Sequence, residues 1–197
     1  MVTVRNRGRL HHWEASAATY FVTFRVADSL PHTTIEQFEF ERRDIVATAA
    51  AMHRELSLHE RERLAQLFDE KIDAYLDAGS GAAHLADPRV ARMTARTLLH
   101  FDEVRYRLFA WCLMPNHVHV VFQPLADRKL SGILHAWKSY SANQANRILG
   151  RSGEFWQREY YDHLVRDEKD FRRVVRYVPE NPRKAKLVDW PWVGVSA

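Results

Sequence analysis

Residues 105–123 read RYRLFAWCLMPNHVHVVFQ, and this stretch decides the fold. Two runs rich in β-branched and aromatic residues, 105–113 and 117–123, flank the turn-forming triplet Met114-Pro115-Asn116. This pattern is typical of two strands joined by a turn. The sequence therefore predicts a β-hairpin in the second half of the chain.

The second predicted strand carries His117 and His119, which are two residues apart. Because side chains alternate between the faces of a strand, both imidazoles point to one face, and Val118 and Val120 point to the other. Two neighbouring imidazoles can bind a divalent metal. The alternative is a pair of ordinary strand histidines, since 11 histidines are scattered along the chain and chance pairs are expected.

Further elements are predicted outward from the hairpin. The pattern indicates a strand at 19–27, an extended run at 155–165, and helices at 34–56, 57–77, 88–101, 130–149 and 168–178. This order predicts an α+β class, with a small antiparallel sheet covered by helices on one face. We expect one domain spanning 1–197, with the helical segment 33–103 as an insertion between the first and second strands.

Capping signals support the predicted helix ends. A capping box requires a serine or threonine followed three residues later by a glutamate, and an aspartate followed by proline favours a helix start. A glycine favours a helix end. These signals are Ser57 with Glu60, Asp87 with Pro88, Gly150, and Asp167.

The last predicted helix carries a second candidate group. Tyr177 and Asn181 are four residues apart, so they share a face that borders an apolar stripe including Val174 and Val178. A phenol and a carboxamide near arginines suit phosphate chemistry. The alternative is a tyrosine at the edge of the core and an asparagine that ends the helix. Pro179 predicts a kink or end of the helix just after Tyr177.

Composition excludes several classes of protein. The chain has 197 residues, of which 46% are hydrophobic and 27% charged, so it is globular. The single cysteine, Cys112, excludes an internal disulfide and a cysteine-rich zinc site. We expect a cytoplasmic protein without membrane contact, because no long apolar run or secretory signal is present. Only seven glycines and no glycine-rich phosphate loop argue against a nucleotide-fuelled enzyme.

Charge is distributed unevenly. Residues 104–197 carry 16 Lys and Arg against 9 Asp and Glu, whereas residues 33–103 carry 9 against 14. The C-terminal half is therefore a candidate surface for a polyanion, and the alternative is a solvated face. The N-terminal segment, including His11 and His12, is predicted to be unstructured. The candidate phosphate contacts are Lys138, Arg147, Arg151, Arg158, Arg166 and Arg173, and Trp156 could either stack on a base or pack in the core.

Three motifs together resemble the single-tyrosine HUH transposases, and specifically the REP-associated tyrosine transposases. Residues 115–121, PNHVHVV, resemble the HUH signature. Residues 156–163, WQREYYDH, look like the next recurring block, and residues 177–182, YVPENP, look like the block with the tyrosine. The resemblance covers 20–28 and 105–192, and the motifs stand in the order and spacing of the family.

The resemblance implies a ferredoxin-like sheet and a divalent-metal nuclease that acts on single-stranded DNA, often at hairpins. It implies that His117 and His119 are metal ligands, that Asn181 completes the metal shell, and that Tyr177 is the nucleophile. The cofactor would be Mg²⁺ or Mn²⁺, and the product a 5′-phosphotyrosine. The alternatives are a non-catalytic protein that binds a DNA or RNA hairpin and a structural or metal-binding α+β protein. The target sequence and the oligomeric state stay open.

Overall fold

A five-stranded antiparallel sheet organises the fold. The computed structural model describes residues 2–7, 10–15, 18–27, 29, 32–57, 59–60, 63–64 and 81–196. The strands are β1 (Val2–Arg7), β2 (Leu10–Ala15), β3 (Tyr20–Arg25), β4 (Tyr106–Leu113), β5 (His117–Pro124), β6 (Tyr161–Leu164) and β7 (Val193–Val195). The helices are α1 (His32–Ala51), α2 (Pro88–Leu99), α3 (Leu130–Leu149) and α4 (Glu168–Lys184).

The strand order is β6-β3-β5-β4-β7, and all pairs are antiparallel. Its first four strands have the ferredoxin-like order, so the predicted α+β class is confirmed. The predicted hairpin forms from β4 and β5, and its turn is closed by a 2.8 Å hydrogen bond from the Met114 amide to the His117 carbonyl. β5 therefore lies in the middle of the sheet, between β3 and β4.

The main core lies between one face of this sheet and helices α2 and α3. Phe24, Val118 and Phe122 from the sheet pack with Leu98 of α2 and Trp137 of α3, and all five are buried. Burying large apolar side chains on one face of a sheet is the principal stabilising term of such a layer. Helix α2, which belongs to the predicted insertion 33–103, is thus part of this core.

Helix α4 covers the opposite face of the sheet, so the prediction of helices on one face only is wrong. Its buried residues Val174 and Val178 pack against Phe21, Cys112 and Val121 in a second apolar cluster. The strong amphipathic pattern of this helix is the physical reason, because one stripe of it must be buried. The sheet is consequently sandwiched, and its second face carries a smaller core.

Helix α4 also continues past Pro179, contrary to the predicted kink or end after Tyr177. It reaches Lys184 with both Pro179 and Pro182 inside it. Proline lacks the amide that would donate to the residue four positions earlier, which destabilises a helix locally. Here the burial of Val178 and Pro182 holds the helical path, and Asn181 is carried on the same rigid element as Tyr177.

The capping signals are confirmed wherever the structure describes them. Asp87 accepts a hydrogen bond from the Arg89 amide at the start of α2, and Asp167 accepts one from the Asp170 amide at the start of α4. Gly150 ends α3 with a φ of 63°, in the left-handed region. Ser57 and Glu60 form the reciprocal hydrogen bonds of a capping box.

The N-terminal segment differs from the prediction. β1 and β2 form a separate two-stranded antiparallel sheet, and His11 and His12 lie in β2 rather than in an unstructured segment. Most of the second predicted helix, 57–77, lies outside the described residues. The division into one domain with the insertion 33–103 stays a prediction. None of the helices in the described ranges has the length and apolar character needed to cross a membrane.

Candidate metal and nucleophile site

The two histidines of β5 lie side by side on the face of the sheet that α4 covers. Both are fully buried, and their Nε2 atoms are 2.9 Å apart. Val118 and Val120 point into the main core on the other face. The alternation predicted from the sequence is therefore correct, and it brings two potential donor atoms to one point.

The outer nitrogen of each imidazole is held by a neighbouring side chain. The Nδ1–H of His117 donates to Asn116 Oδ1 at 2.7 Å, and His119 Nδ1 lies 2.8 Å from the Thr23 hydroxyl oxygen. Because an amide oxygen can only accept, His117 carries its proton on Nδ1 when neutral and has a lone pair on Nε2. Such outer partners orient imidazoles that bind metals.

Both histidines are held neutral. Burial, the neighbouring His119 and the charge of Arg25 lower the pKa of His117 well below its usual range. Burial and the charge of Lys184 lower the pKa of His119 to about 3. Neutral imidazole is the form that binds a metal, so the pair is ready for one at neutral pH.

The Asn181 side chain on α4 carries a further potential donor oxygen. Its side chain is fully buried, and its Nδ2 donates to the Tyr177 carbonyl at 3.0 Å. Its Oδ1 accepts no hydrogen bond within the described part of the chain. A buried acceptor left without a partner costs about 1–3 kcal/mol, so a ligand bound at this oxygen would remove that cost.

The donor set fits a divalent metal. Metal–nitrogen bonds are about 2.1 Å long, so one ion can contact two nitrogens that lie 2.9 Å apart. An N–H···N hydrogen bond inside the pair has the same length, so the site fits a metal without requiring one. Within the described residues no cluster of three His, Cys, Asp or Glu side chains could hold a metal, so a third protein donor would have to be of another type, such as the Asn181 amide.

The Tyr177 ring lies beside the histidines. Its centroid is 5.8 Å from those of His119 and Phe21, in edge-on contact with both. The Lys184 Nζ lies 4.1 Å from the centroid of the same ring. Helix α4 thus presents Tyr177, Asn181 and Lys184 together, and the face shared by the first two agrees with their predicted spacing.

The other tyrosines are placed differently. Tyr140 is 56% exposed on α3, beyond the opposite face of the sheet. Tyr160 packs against the main core, with Lys138 5.8 Å from its ring centroid. Tyr161 lies on the edge strand β6 and touches Phe21 at 6.4 Å between centroids. Tyr177 is the tyrosine on the helix that also carries Asn181.

Two of the predicted DNA contacts are engaged in structural roles. Trp156 is 6% exposed, packs edge-on against Phe24, and donates its indole N–H to Ser141. Lys138 donates to the carbonyls of Gln157 and Arg158 at 2.7 Å each, and burial lowers its pKa to about 8. Neither side chain offers a free surface to DNA in this conformation.

The predicted arginine contacts are more accessible. Four of them are exposed, and Arg173 pairs with Asp170 at 2.8 Å on α4. Arg151 is half-buried and contacts the His84 imidazole and the Glu154 carbonyl. The exposed four are Arg147, Arg158, Arg166 and Arg173.

Three residues of the site are absent from the sequence-based prediction. Asn116 directly precedes the histidine pair, Thr23 pairs with His119 in the β3–β5 register, and Lys184 lies seven residues after Tyr177. Of these three, only Lys184 could have been found from the sequence, because residues seven apart on a helix share a face. The role of Thr23 depends on a strand pairing that the sequence does not specify.

Comparison with known proteins confirms the resemblance that the motifs indicated. Residues 90–181 match the family model described as transposase IS200 like. Over 101 residues the chain is 30% identical to a protein of Haemophilus influenzae assigned as a REP-associated tyrosine transposase, covering 44% of this chain and 57% of the relative. It is 28% identical over 92 residues to the REP-associated tyrosine transposase of Escherichia coli, covering 44% of this chain and 53% of the relative.

The chain spans a little over half the length of these curated relatives. A solved structure, described as the REP-associated tyrosine transposase bound to a REP hairpin, covers 92% of this chain and 79% of its own, with a TM-score of 0.52 and 16% identity. This similarity establishes the fold. The matched segment 90–181 contains both histidines, Tyr177 and Asn181.

Proposed function

We propose that this chain, which resembles the REP-associated tyrosine transposases, is a metal-dependent endonuclease and strand transferase acting on single-stranded DNA at hairpins. The proposal rests on one observation, which is that α4 packs on the face of the sheet where β5 presents its two histidines. β5 brings two neutral imidazoles within 2.9 Å of each other, and α4 brings the unpaired amide oxygen of Asn181 together with the Tyr177 phenol.

His117, His119 and Asn181 would hold one Mg²⁺ or Mn²⁺ ion. Mg²⁺ prefers oxygen ligands, whereas Mn²⁺ accepts imidazole more readily, so we expect either ion to support activity and Mn²⁺ to bind more tightly. When bound, the ion polarises a non-bridging oxygen of the phosphate and offsets negative charge in the transition state. Thr23 and Asn116 orient the imidazoles for this role.

Tyr177 would act as the nucleophile. Its hydroxyl oxygen forms a bond to phosphorus and the bond from phosphorus to the 3′ oxygen breaks. The phenol proton passes to solvent and the 3′ oxygen gains a proton, so a 5′-phosphotyrosine is left that conserves the energy for rejoining. The edge-on contacts with Phe21 and His119 fix the ring, and fixed geometry is what lowers the barrier of such a displacement.

The DNA would be held through its phosphates by exposed arginines of the basic C-terminal half. The solved relative is described as bound to a REP hairpin, and we propose a hairpin as the ligand of this chain as well. Of the four exposed arginines predicted from the sequence, Arg173 is the one that lies on α4 with Tyr177. We expect the protein to act in the cytoplasm.

The test is covalent capture of labelled DNA. We expect the protein, incubated with a labelled hairpin oligonucleotide and Mn²⁺, to give protein-linked label on a denaturing gel. Tyr177→Phe should abolish the label and keep DNA binding, because it removes one oxygen and conserves shape. Tyr140→Phe, at the exposed tyrosine of α3, is the matched control and should label normally.

Labelling of Tyr177→Phe would refute the assignment of the nucleophile. If the unmodified protein bound hairpins tightly and cut none of them, the non-catalytic hairpin-binding alternative would replace the proposed enzyme. A chain that neither bound nor cut DNA would leave a structural or metal-binding role.

A further inference from the structure

Helix α4 presents a third polar group on the face that carries Tyr177 and Asn181. Lys184 lies seven residues after the tyrosine and three after the asparagine, so the three side chains follow one face of the helix. Lys184 is in the last turn of α4 and is exposed. Its ammonium therefore stands at the solvent side of the candidate site.

The position of this ammonium is defined by two neighbours. Its Nζ lies 4.1 Å from the centroid of the Tyr177 ring, within the range of a cation–π contact. Its charge is also close enough to His119 to disfavour a second positive charge on that imidazole. Lys184 consequently lies over the tyrosine ring that contacts His119.

No carboxylate neutralises this ammonium in the part of the chain that the structure describes. Two arginines of the same helix are paired, Arg172 with Glu168 and Arg173 with Asp170. Glu180 lies one turn before Lys184, but no salt bridge joins the two. A cation left unpaired beside a neutral, buried donor cluster is suited to receive an anion.

We propose that Lys184 binds the phosphate group that Tyr177 attacks, a role that rests on the proposed function. An ammonium is a compact point charge that can donate to a non-bridging phosphate oxygen. Because Lys184 and Tyr177 share a rigid helix, a phosphate held by the lysine is placed at a fixed distance from the phenol. The imidazoles of β5 approach the same group from the sheet.

A purely structural role makes a different prediction. If Lys184 only packed on the Tyr177 ring, its replacement would affect the stability of α4. The effect on DNA binding would then be the same whether or not the phosphate is charged. If it binds the phosphate, its loss should matter only when that phosphate is charged. The two roles can be separated by a double-mutant cycle between the protein and the DNA.

The experiment compares two oligonucleotides in the Tyr177→Phe background, where no cleavage interferes. One carries an ordinary phosphate at the linkage that the unmodified protein cuts, and the other carries an uncharged methylphosphonate there. We expect Lys184→Gln to weaken binding of the first by about tenfold and to leave binding of the second unchanged. Lys184→Arg should restore most of the loss, because it keeps the charge.

Lys169→Gln is the matched control. This substitution removes one exposed positive charge from the first turn of the same helix, roughly four turns from Lys184. It should weaken the binding of both oligonucleotides equally. An equal loss on both oligonucleotides for Lys184→Gln, or no loss on either, would overturn the inference while the proposed function stands. Failure of the unmodified protein to cut any hairpin would overturn the proposed function and the inference with it.

Discussion

Two single residues, Asn116 and Thr23, set the orientation of the histidine pair. The amide oxygen of Asn116 accepts from His117, and the Thr23 hydroxyl contacts His119, each at the nitrogen that faces away from the pair. Without these partners each ring could rotate or change its tautomer. The 2.9 Å approach of the two Nε2 atoms therefore depends on side chains that would not touch the metal.

Replacing Asn116 should weaken metal binding while the fold survives. We expect Asn116→Ala to lower the affinity for Mn²⁺ by about 10- to 100-fold. Losing the hydrogen-bond partner of the non-binding nitrogen of a metal-binding histidine has an effect of this size. Titration of the protein with Mn²⁺, followed by the electron paramagnetic resonance of the free ion, measures the affinity. Asn146→Ala, at an asparagine of α3 that bonds the Gly153 carbonyl, is the control and should bind Mn²⁺ normally. Equal affinities for the two variants would contradict an orienting role of Asn116.

At the scale of elements, α4 is where a local rule of the sequence is overridden. Pro179 and Pro182 both argue for a helix that ends early, yet the helix runs to Lys184. The burial of Val174 and Val178 against the sheet supplies more stabilisation than the lost hydrogen bonds remove. The sequence predicts the amphipathic stripe correctly. Whether burial of this stripe outweighs the hydrogen bonds lost at the prolines depends on the sheet surface that the helix packs against.

Replacing Pro179 should stabilise the protein. Pro179→Ala restores an amide that can donate to the Val175 carbonyl, and we expect the free energy of unfolding to rise by about 1–2 kcal/mol. Urea denaturation measures this change. Pro182→Ala should gain less or lose stability, because Pro182 is buried and its truncation leaves a void. A Pro179→Ala variant that is less stable than the parent would show that the proline fits this helix without strain.

At the scale of the whole molecule, the buried histidines couple stability to pH. The pKa of His119 is about 3 in the folded protein and near 6.5 for a free imidazole, and that of His117 is lowered in the same direction. Between these values the unfolded chain binds more protons than the folded one. Stability is therefore full above about pH 6.5 and falls as the pH falls towards 3.

We expect the metal-free protein, studied in a chelator, to lose up to about 1.4 kcal/mol of unfolding free energy per pH unit for each buried histidine below pH 6. Urea unfolding at a series of pH values measures the slope. His119→Gln should reduce the slope of unfolding free energy against pH by the contribution of one titrating group. His135→Gln, at an exposed histidine of α3, should leave the slope unchanged. Identical slopes for all three proteins would show that the pair does not control acid unfolding.

The limits of prediction follow from what is local and what is not. The hairpin at 105–123, the end of α3 at Gly150 and the capped starts at Asp87 and Asp167 are set by nearby residues, and these predictions are correct. The placement of α4 on the second face, and with it the contact of Tyr177 with His119, depends on distant packing. Trp156 illustrates the same limit, since no local pattern distinguishes a core tryptophan from one that stacks on a base.

The division of the site between a central strand and one covering helix determines how the protein can fail. β5 carries the two imidazoles, while α4 carries the phenol, the amide and the ammonium on a single stretch of chain. A truncation or frameshift between β5 and Glu168 would leave the imidazole pair encoded and delete all three other groups at once. Inactivation of such a gene should therefore leave relics in which the histidine motif outlives the tyrosine motif, and such relics could compete for metal but not join DNA.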